Sequence, residues 1–379
     1  MEAPSFLRRH PWVRWLAPAT VLGLAALAAT GVFAAGSPAP AKLPRMTPES
    51  LISQVRTAKV TGYSGTVVSQ VSLGLPELPS LGDGADGTGD SASFASLLTG
   101  SHTMQVWYGG ASRQRVAVLG SMGETDLFRA GRSLWQWNSA SQAATHMLLP
   151  AGAARRSTVV SGLVGPSRPS AAAPATPAAV TPGGIAGRIL ALIRPSTEIQ
   201  VRHGGEVADR STYQLVLTPR SPATLIGSVR IAIDGATKVP LAVQVVPRGS
   251  NTPAIDVRYT SISFGRPSRT TFAFSPPAGA SVRHVDVPAD PGGATDSGAK
   301  LASRLVVRGS SWSTVACYHL PSVPRLAGAL GEALQPVAGS WGRGRILETN
   351  LVTLLLTRNG WLCGGAVRPQ ALFAAAASR

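Results

Sequence analysis

The sequence is poor in cysteine, in acidic side chains and in aromatic residues. Two cysteines among 379 residues exclude a disulfide-dense scaffold and a metal site built from four cysteines. Aromatic residues make up 6% of the chain, and charged residues make up 14%. This composition favours strands and loops over long surface helices. Only one apolar run is long enough to cross a bilayer, so a multi-pass membrane protein is also excluded.

The few acidic residues leave a large positive net charge. Lys and Arg number 35 against 18 Asp and Glu, which gives a formal net charge of +17. The excess is mostly arginine, scattered along the predicted strands. A nucleic-acid-binding protein usually concentrates its basic groups in one stripe or helix, so no nucleic-acid partner is predicted. Two interpretations stay open and are compatible: an arginine-rich proteome, or attraction to an anionic membrane surface or wall polymer.

The N-terminus has the pattern of an export signal. Arg8, Arg9 and Arg14 precede an uncharged, Ala-rich run at 15–36 that ends in small residues. Residues 1–36 are therefore predicted to be a signal peptide or an N-terminal membrane anchor. In both cases the rest of the chain lies outside the cytoplasm, either secreted or anchored to the cytoplasmic membrane by the apolar run. An Ala-rich buried helix is the alternative, and three arginines make a poor start for one.

Strand-like segments dominate the rest of the chain. After a tether at 37–46, Thr47 is the predicted N-cap of a short amphipathic helix. Alternation of period two then predicts an antiparallel meander of six strands up to Leu149. A second short helix and a second set of strands follow, and the prolines at 276–277 are expected to end the sheet.

This pattern predicts a mostly β protein of the α+β class, in two parts. The main domain is predicted at 47–287, with flexible Gly-, Ser- and Pro-rich insertions at 74–101 and 151–184. A linker at 288–300 leads to a small C-terminal α+β subdomain at 301–379. In that subdomain Cys317 and Cys363 either form a disulfide across neighbouring strands or are two buried free thiols.

Motifs that would indicate catalysis or a cofactor are almost absent. A GxGxxG match at 82–87 lies inside an acidic loop, where its charge would repel a pyrophosphate. The histidines are scattered, so the sequence predicts no metal site. A Ser-His-Asp triad needs no neighbouring residues in the chain, and nothing positive points to one. We therefore predict a protein that is not an enzyme and that uses no cofactor.

The apolar alternation admits two interpretations. The side chains either form an ordinary core or line a cavity for an acyl chain, which needs few polar contacts to bind. The cavity candidates are picked from alternation on the strands and on the second short helix: Val67, Val71, Val106, Trp135, Trp137, Ile189, Leu192, Leu215 and Ile231.

Several segments together resemble the extracytoplasmic LolA-like lipoprotein-carrier family in its actinobacterial version. The most telling are TGYSGTVVSQVSLGLPELP (61–79), ETDLFRAGRSLWQWNSASQAATHMLLP (124–150) and TYQLVLTPRSPATLIGSVRIAIDGATKVPLAVQVVPRG (212–249). The likeness covers about 47–287. It implies a half-open antiparallel β-barrel whose concave face is covered by short helices. It also implies binding of lipid or lipoprotein acyl chains, with a lipid-export transporter as a possible partner.

RseB-like envelope-stress sensors are similar too. They join a LolA-like domain to a smaller C-terminal domain and regulate a transmembrane anti-sigma factor. The C-terminal part at 301–379 is likewise smaller than the main domain at 47–287. The resemblance therefore implies a carrier as the first function and a sensor as the alternative. No motif of either family identifies a ligand-binding residue in this sequence.

Overall fold

A computed structural model describes residues 43–74, 100–120, 123–149, 196–286, 305–320 and 333–378. Within these ranges the chain forms two helices, α1 (Pro48–Thr57) and α2 (Pro369–Ala377), and two short 3₁₀ helices at Arg269–Phe272 and Ser311–Ser313. The predicted signal segment, most of the tether at 37–46, most of the insertion at 74–101, all of the insertion at 151–184, the linker at 288–300, and Ile189 and Leu192 lie outside the described residues.

A twelve-stranded sheet forms the larger part of the fold. Its strands are β1 (Tyr63–Val71), β2 (Gly100–Tyr108), β3 (Arg113–Leu119), β4 (Glu124–Ala130), β5 (Ser133–Asn138), β6 (Ala143–Leu148), β7 (Thr197–Val207), β8 (Arg210–Pro219), β9 (Ile226–Asp234), β10 (Pro240–Pro247), β11 (Ile255–Phe264) and β12 (Ser281–Asp286). They lie in the order β12-β6-β5-β4-β3-β2-β1-β11-β10-β9-β8-β7. The two edge strands, β12 and β7, do not pair with each other. The sheet is therefore not closed, and the predicted mostly β, half-open barrel class is confirmed.

The expectation that the prolines at 276–277 end the sheet is wrong. The chain passes them and adds β12 to the edge strand β6, in a parallel pairing that sets His284 opposite His146. The prolines interrupt pairing only locally. A parallel strand needs a long crossover, and the whole second half of the sheet lies between β6 and β12 in the chain.

Helix α1 covers one face of the second half of this sheet. The Thr47 hydroxyl accepts a hydrogen bond from the Ser50 amide, and Pro48 occupies the first turn, where its missing N–H has no cost. Leu51 is fully buried against Tyr213 and Ile233. Packing of its apolar stripe against the sheet therefore stabilises α1, because a helix of ten residues is only marginally stable alone.

A six-stranded sheet forms the C-terminal part. Its strands are β13 (Leu305–Arg308), β14 (Val315–His319), β15 (Gln335–Gly339), β16 (Gly342–Glu348), β17 (Thr353–Thr357) and β18 (Trp361–Gly365), in the order β13-β14-β18-β17-β16-β15. Cys317 and Cys363 are directly opposite on β14 and β18 and form a disulfide. Both are fully buried with Leu355 and with Leu372 of α2.

Hydrogen bonds join the two sheets at one end of the large sheet. The Trp312 indole N–H donates to Thr197 Oγ1 at 2.6 Å, next to the start of β7. The Thr224 hydroxyl donates to the Ala366 carbonyl at 2.7 Å, in the turn between β8 and β9. The Asn350 amide donates to the Leu73 carbonyl at 2.8 Å, just after β1. Because these contacts are main-chain and buried side-chain bonds, the C-terminal sheet is fixed against these strand ends.

We expect the disulfide to be a main source of stability in the C-terminal sheet. The bridge closes a segment with a sequence separation of 46 residues. Loop-closure entropy then predicts that the double variant Cys317→Ser/Cys363→Ser loses about 4 kcal/mol of unfolding free energy. Urea unfolding measures this loss, and thiol titration of the denatured, unreduced wild type should find no free thiol. Two free thiols, or unchanged stability of the variant, would contradict the expectation.

Candidate functional site

One face of the large sheet carries an apolar row that crosses six strands. Cross-strand register places these side chains side by side, from β7 across to β1: Ile199, Leu217, Val229, Val245, Ile255 and Val71. All six are half-buried. Because alternate residues of a strand point to the same side, this apolar row lies on the side that α1 covers, which we call the helix-covered face.

A second row on the same face runs directly beneath α1. Leu215 is opposite Val201 on one side and Ile231 on the other, and Ile231 is opposite Val243. Leu215 is buried, and Ile231 packs against the cluster that contains Leu51. The helix therefore covers the second row, whereas the strands toward β1 carry apolar side chains that do not belong to its cluster.

Five of the predicted cavity residues lie on the helix-covered face. Leu215 and Ile231 are direct neighbours under α1, and Val71 is part of the apolar row. Val67 is buried opposite Tyr259 and Met104, and Val106 is half-buried opposite Gly65 and Val116. The face thus brings together predicted residues from both halves of the sheet.

Trp135 and Trp137 do not join these residues, which corrects the expectation of one common cavity. Register pairs Trp135 with Phe128, Phe128 with Arg115 and Arg115 with Trp107, a set that lies on the opposite face from Val106. There both tryptophans pack against Phe274, with ring centroids 5.4 and 5.8 Å apart. Alternation within β5 puts the two tryptophans on one side, but only pairing across β2 to β5 decides which side that is.

Of the six residues in the apolar row, the sequence predicts only Val71 as a cavity residue. Ile199, Leu217, Val229, Val245 and Ile255 all follow the same alternation as Leu215 and Ile231. The period-two signal in β7 to β11 could have identified them. The same face of β4 also carries Arg129, which is 3% exposed, and no sequence signal marked this arginine as buried.

The two ends of the helix-covered face differ. At the end near the apolar row, the C-terminal sheet contacts the strands, as described above. At the other end an open groove of about 550 Å³ is lined by the C-terminal half of α1 and the residues after it, by the turn at 236–238, and by Phe264 and Gly265. The end of this face away from the C-terminal sheet therefore carries a groove that is open to solvent.

A buried ion pair fixes the hairpin beside this groove. Arg210 donates from Nε to Oδ1 of Asp234 at 2.7 Å and from Nη2 to Oδ2 at 3.0 Å. The Thr237 amide and hydroxyl also donate to Oδ2, each at 2.6 Å. Burial alone would raise the pKa of Asp234, but these hydrogen bonds outweigh burial and lower its pKa. The carboxylate is therefore charged at neutral pH, and it holds the turn closed.

Two tyrosines of the helix-covered face, Tyr63 and Tyr259, have a raised pKa. Tyr63 stacks on Tyr108 with ring centroids 5.1 Å apart and meets Tyr259 edge to face. Burial is the main cause that raises the pKa of Tyr63 and of Tyr259 above the ordinary tyrosine value. These side chains add aromatic surface and hydroxyl groups to the face without adding charge.

Neither a larger metal centre nor a membrane-spanning helix lies within the described residues. No group of three or more His, Cys, Asp and Glu side chains converges on one point within the described ranges. No helix among those residues is long and apolar enough to span a membrane. The predicted anchor at 15–36 lies outside them. The helix-covered face is suited to contact an apolar ligand, with few polar groups to orient it.

The ion pair beside the groove gives a pH-dependent prediction. Asp234→Asn should lower the unfolding free energy at pH 7 by about 1–3 kcal/mol, because a charge-assisted bond is lost and Arg210 is left with a weaker partner. Because the folded-state pKa is lowered, this contribution is present above the unfolded pKa of about 3.9 and disappears as the pH falls through the folded value.

Urea unfolding of the wild type and the variant at pH 7 and in strong acid measures the difference. Asp209→Asn is the control, because Asp209 is exposed in a neighbouring turn and asparagine tolerates its positive φ of 57°. A difference between wild type and Asp234→Asn that is the same at both pH values would contradict the assigned role of the carboxylate.

Comparisons with known proteins find similar chains among solved structures only. No protein-family model and no curated protein matches the chain. Among solved structures, a chain of the Pseudomonas aeruginosa MucA/MucB complex is 14% identical, with a TM-score of 0.41 over 86% of this chain and 94% of that one. A structure of MucB is 13% identical, with a TM-score of 0.36 over 87% and 96%.

A LolA superfamily protein from Nitrosomonas europaea is 11% identical, with a TM-score of 0.23 over 61% of this chain and 99% of that one. These solved structures are of MucB and of a LolA-superfamily protein. At these levels of identity the likeness concerns the fold alone.

Proposed function

We propose that the chain is a non-catalytic binding protein of the cell envelope that holds an acyl chain of a lipid or lipoprotein. The single observation that carries this proposal is the apolar row on the helix-covered face. Its six side chains are half-buried, and only two of them, Ile199 and Leu217, pack against the α1 cluster. Apolar side chains that lie in a row beside a helix, and mostly do not pack against it, offer a contact surface for a linear hydrocarbon.

The dimensions and energetics fit such a ligand. Neighbouring strands lie about 4.8 Å apart, so a row across six strands extends for about 24 Å, comparable to a long acyl chain. Each methylene group that leaves water contributes about 0.8 kcal/mol. A long chain therefore binds usefully through apolar contact alone.

The proposed location is outside the cytoplasm. The predicted export signal at 1–36 supports this location, with residues 15–36 as a membrane anchor if the signal is retained. The net charge of +17 would attract the protein to an anionic membrane surface. A lipid-export transporter that loads or receives the acyl chain is the partner expected for a carrier.

A protein partner is the second candidate, in the manner of a sensor that regulates a transmembrane anti-sigma factor. The observation that favours it is the charge of the C-terminal sheet. The described residues there hold one acidic side chain, Glu348, against five arginines: Arg308, Arg343, Arg345, Arg358 and Arg368. Arg343 and Arg358 flank a groove of about 490 Å³ on β15 to β17. An acidic extracytoplasmic segment of a membrane protein would complement this surface.

The acyl-chain proposal is tested by adding a charge to the apolar row. Val71→Arg should abolish the fluorescence increase of cis-parinaric acid on binding, because an arginine in the row must be desolvated beside the hydrocarbon. Val68→Arg is the matched control, since Val68 is half-buried on the opposite face of the same strand. Circular dichroism should show that both variants are folded.

Equal binding by the folded Val71→Arg variant and the wild type would refute the assigned face. Native mass spectrometry of wild type purified from its own membrane fraction gives an independent answer. A bound lipid or acyl-peptide mass supports the proposal, and a ligand-free protein that also ignores cis-parinaric acid favours the protein partner.

The partner candidate is tested by reversing charge at its groove. Arg343→Glu/Arg358→Glu should reduce in-cell crosslinking to a transmembrane protein with an acidic extracytoplasmic segment, while Arg308→Glu on the far strand β13 should not. Mass spectrometry identifies the crosslinked protein. Crosslinking that is unchanged by the double variant would argue against this surface.

A further inference from the structure

Two histidines meet on the face opposite the proposed acyl site. His146 on β6 and His284 on the edge strand β12 are direct partners in the parallel pairing. Their Nδ1 atoms are 3.3 Å apart. His284 is exposed and His146 is half-buried, so water reaches the pair. Imidazoles that face each other through the same ring nitrogen have two options: they share one proton, or they hold a cation.

The neighbours of His146 orient it for the second option. Its Nε2 atom is 2.8 Å from Ser133 Oγ. When Nε2–H donates to this hydroxyl, the lone pair of Nδ1 is free to point at His284. A metal-bound histidine usually donates its other N–H in this way. The Trp135 ring stacks on the imidazole, with centroids 4.3 Å apart and planes within 19°, which holds the ring plane.

The separation of the nitrogens matches a transition metal. With metal–nitrogen bonds of about 2.0–2.1 Å and a tetrahedral angle, two ligating nitrogens lie about 3.3–3.4 Å apart. The Nδ1 atoms are already at 3.3 Å. The spacing of the two nitrogens is therefore already that of two ligands on one tetrahedral ion.

We propose that His146 and His284 bind a divalent transition-metal ion such as Zn²⁺ or Cu²⁺, with water completing its coordination. Imidazole nitrogen suits both ions, and Cu²⁺ forms the stronger complex in the usual affinity order. The bound ion joins the edge strand β12 to β6 and so reinforces a strand that has one neighbour.

Zinc titration of the full chain by calorimetry tests the site. We expect saturable binding of one ion at this pair, with affinity at least about tenfold weaker in His284→Gln and in His146→Gln. His319→Gln is the matched control. His319 is also exposed and lies against a tryptophan, with its ring centroid 5.1 Å from that of Trp361. His284 is exposed on an edge strand, so its substitution should not unfold the protein.

A spectroscopic readout locates the ion. Cu²⁺ bound at the pair should quench the fluorescence of Trp135, so Trp135→Phe should lose most of the quenching. Ser133→Ala should weaken binding severalfold without abolishing it, because it removes only the group that orients His146. Zinc binding of wild-type strength in His284→Gln, or no saturable binding to the wild type, would overturn the proposal.

Discussion

The pairing of β1 on both of its sides is the constraint on which the structure depends. β1 is bonded to β2 on one side and to β11 on the other, so it joins the two halves of the chain into one sheet. Gly65 allows this close pairing, because a Cβ atom there would lie 2.9 Å from the ring of Tyr259 and would meet the Ser261 carbonyl. The register of β1 thereby aligns the apolar residues of both halves on the helix-covered face.

Helix α1, the hairpin at Asp234 and the C-terminal sheet each contact a different part of that face. Helix α1 covers the second row, and the Asp234 hairpin shapes the open groove. The C-terminal sheet contacts the opposite end through buried hydrogen bonds, and its own core is tied by the Cys317–Cys363 bridge. The helix-covered face thus has a C-terminal sheet at one end and an open groove at the other.

The two faces of the sheet have different chemistry because each strand sends alternate residues to opposite sides. One face carries the apolar rows, the tyrosines and, on β4, the buried Arg129. The other carries Trp135, Trp137 and the histidine pair, under the segment that contains Phe274. Sequence alternation selected residues of both faces, such as Ile231 and Trp135, for one cavity, because the relation between distant strands is not encoded locally. It did not mark the histidine pair or most of the apolar row. The parallel strand β12 was missed for the same reason.

Local patterns therefore determined the class of the fold, the α1 cap at Thr47, most strand positions, and the apolar character of the residues that face α1. These features depend on propensity and on spacing within a few residues. Tertiary structure alone decided that Val71 and Ile231 share a face, that Trp135 does not, and that His284 meets His146. Each of these facts depends on register between strands far apart in the chain, where a shift of one residue sends a side chain to the other face.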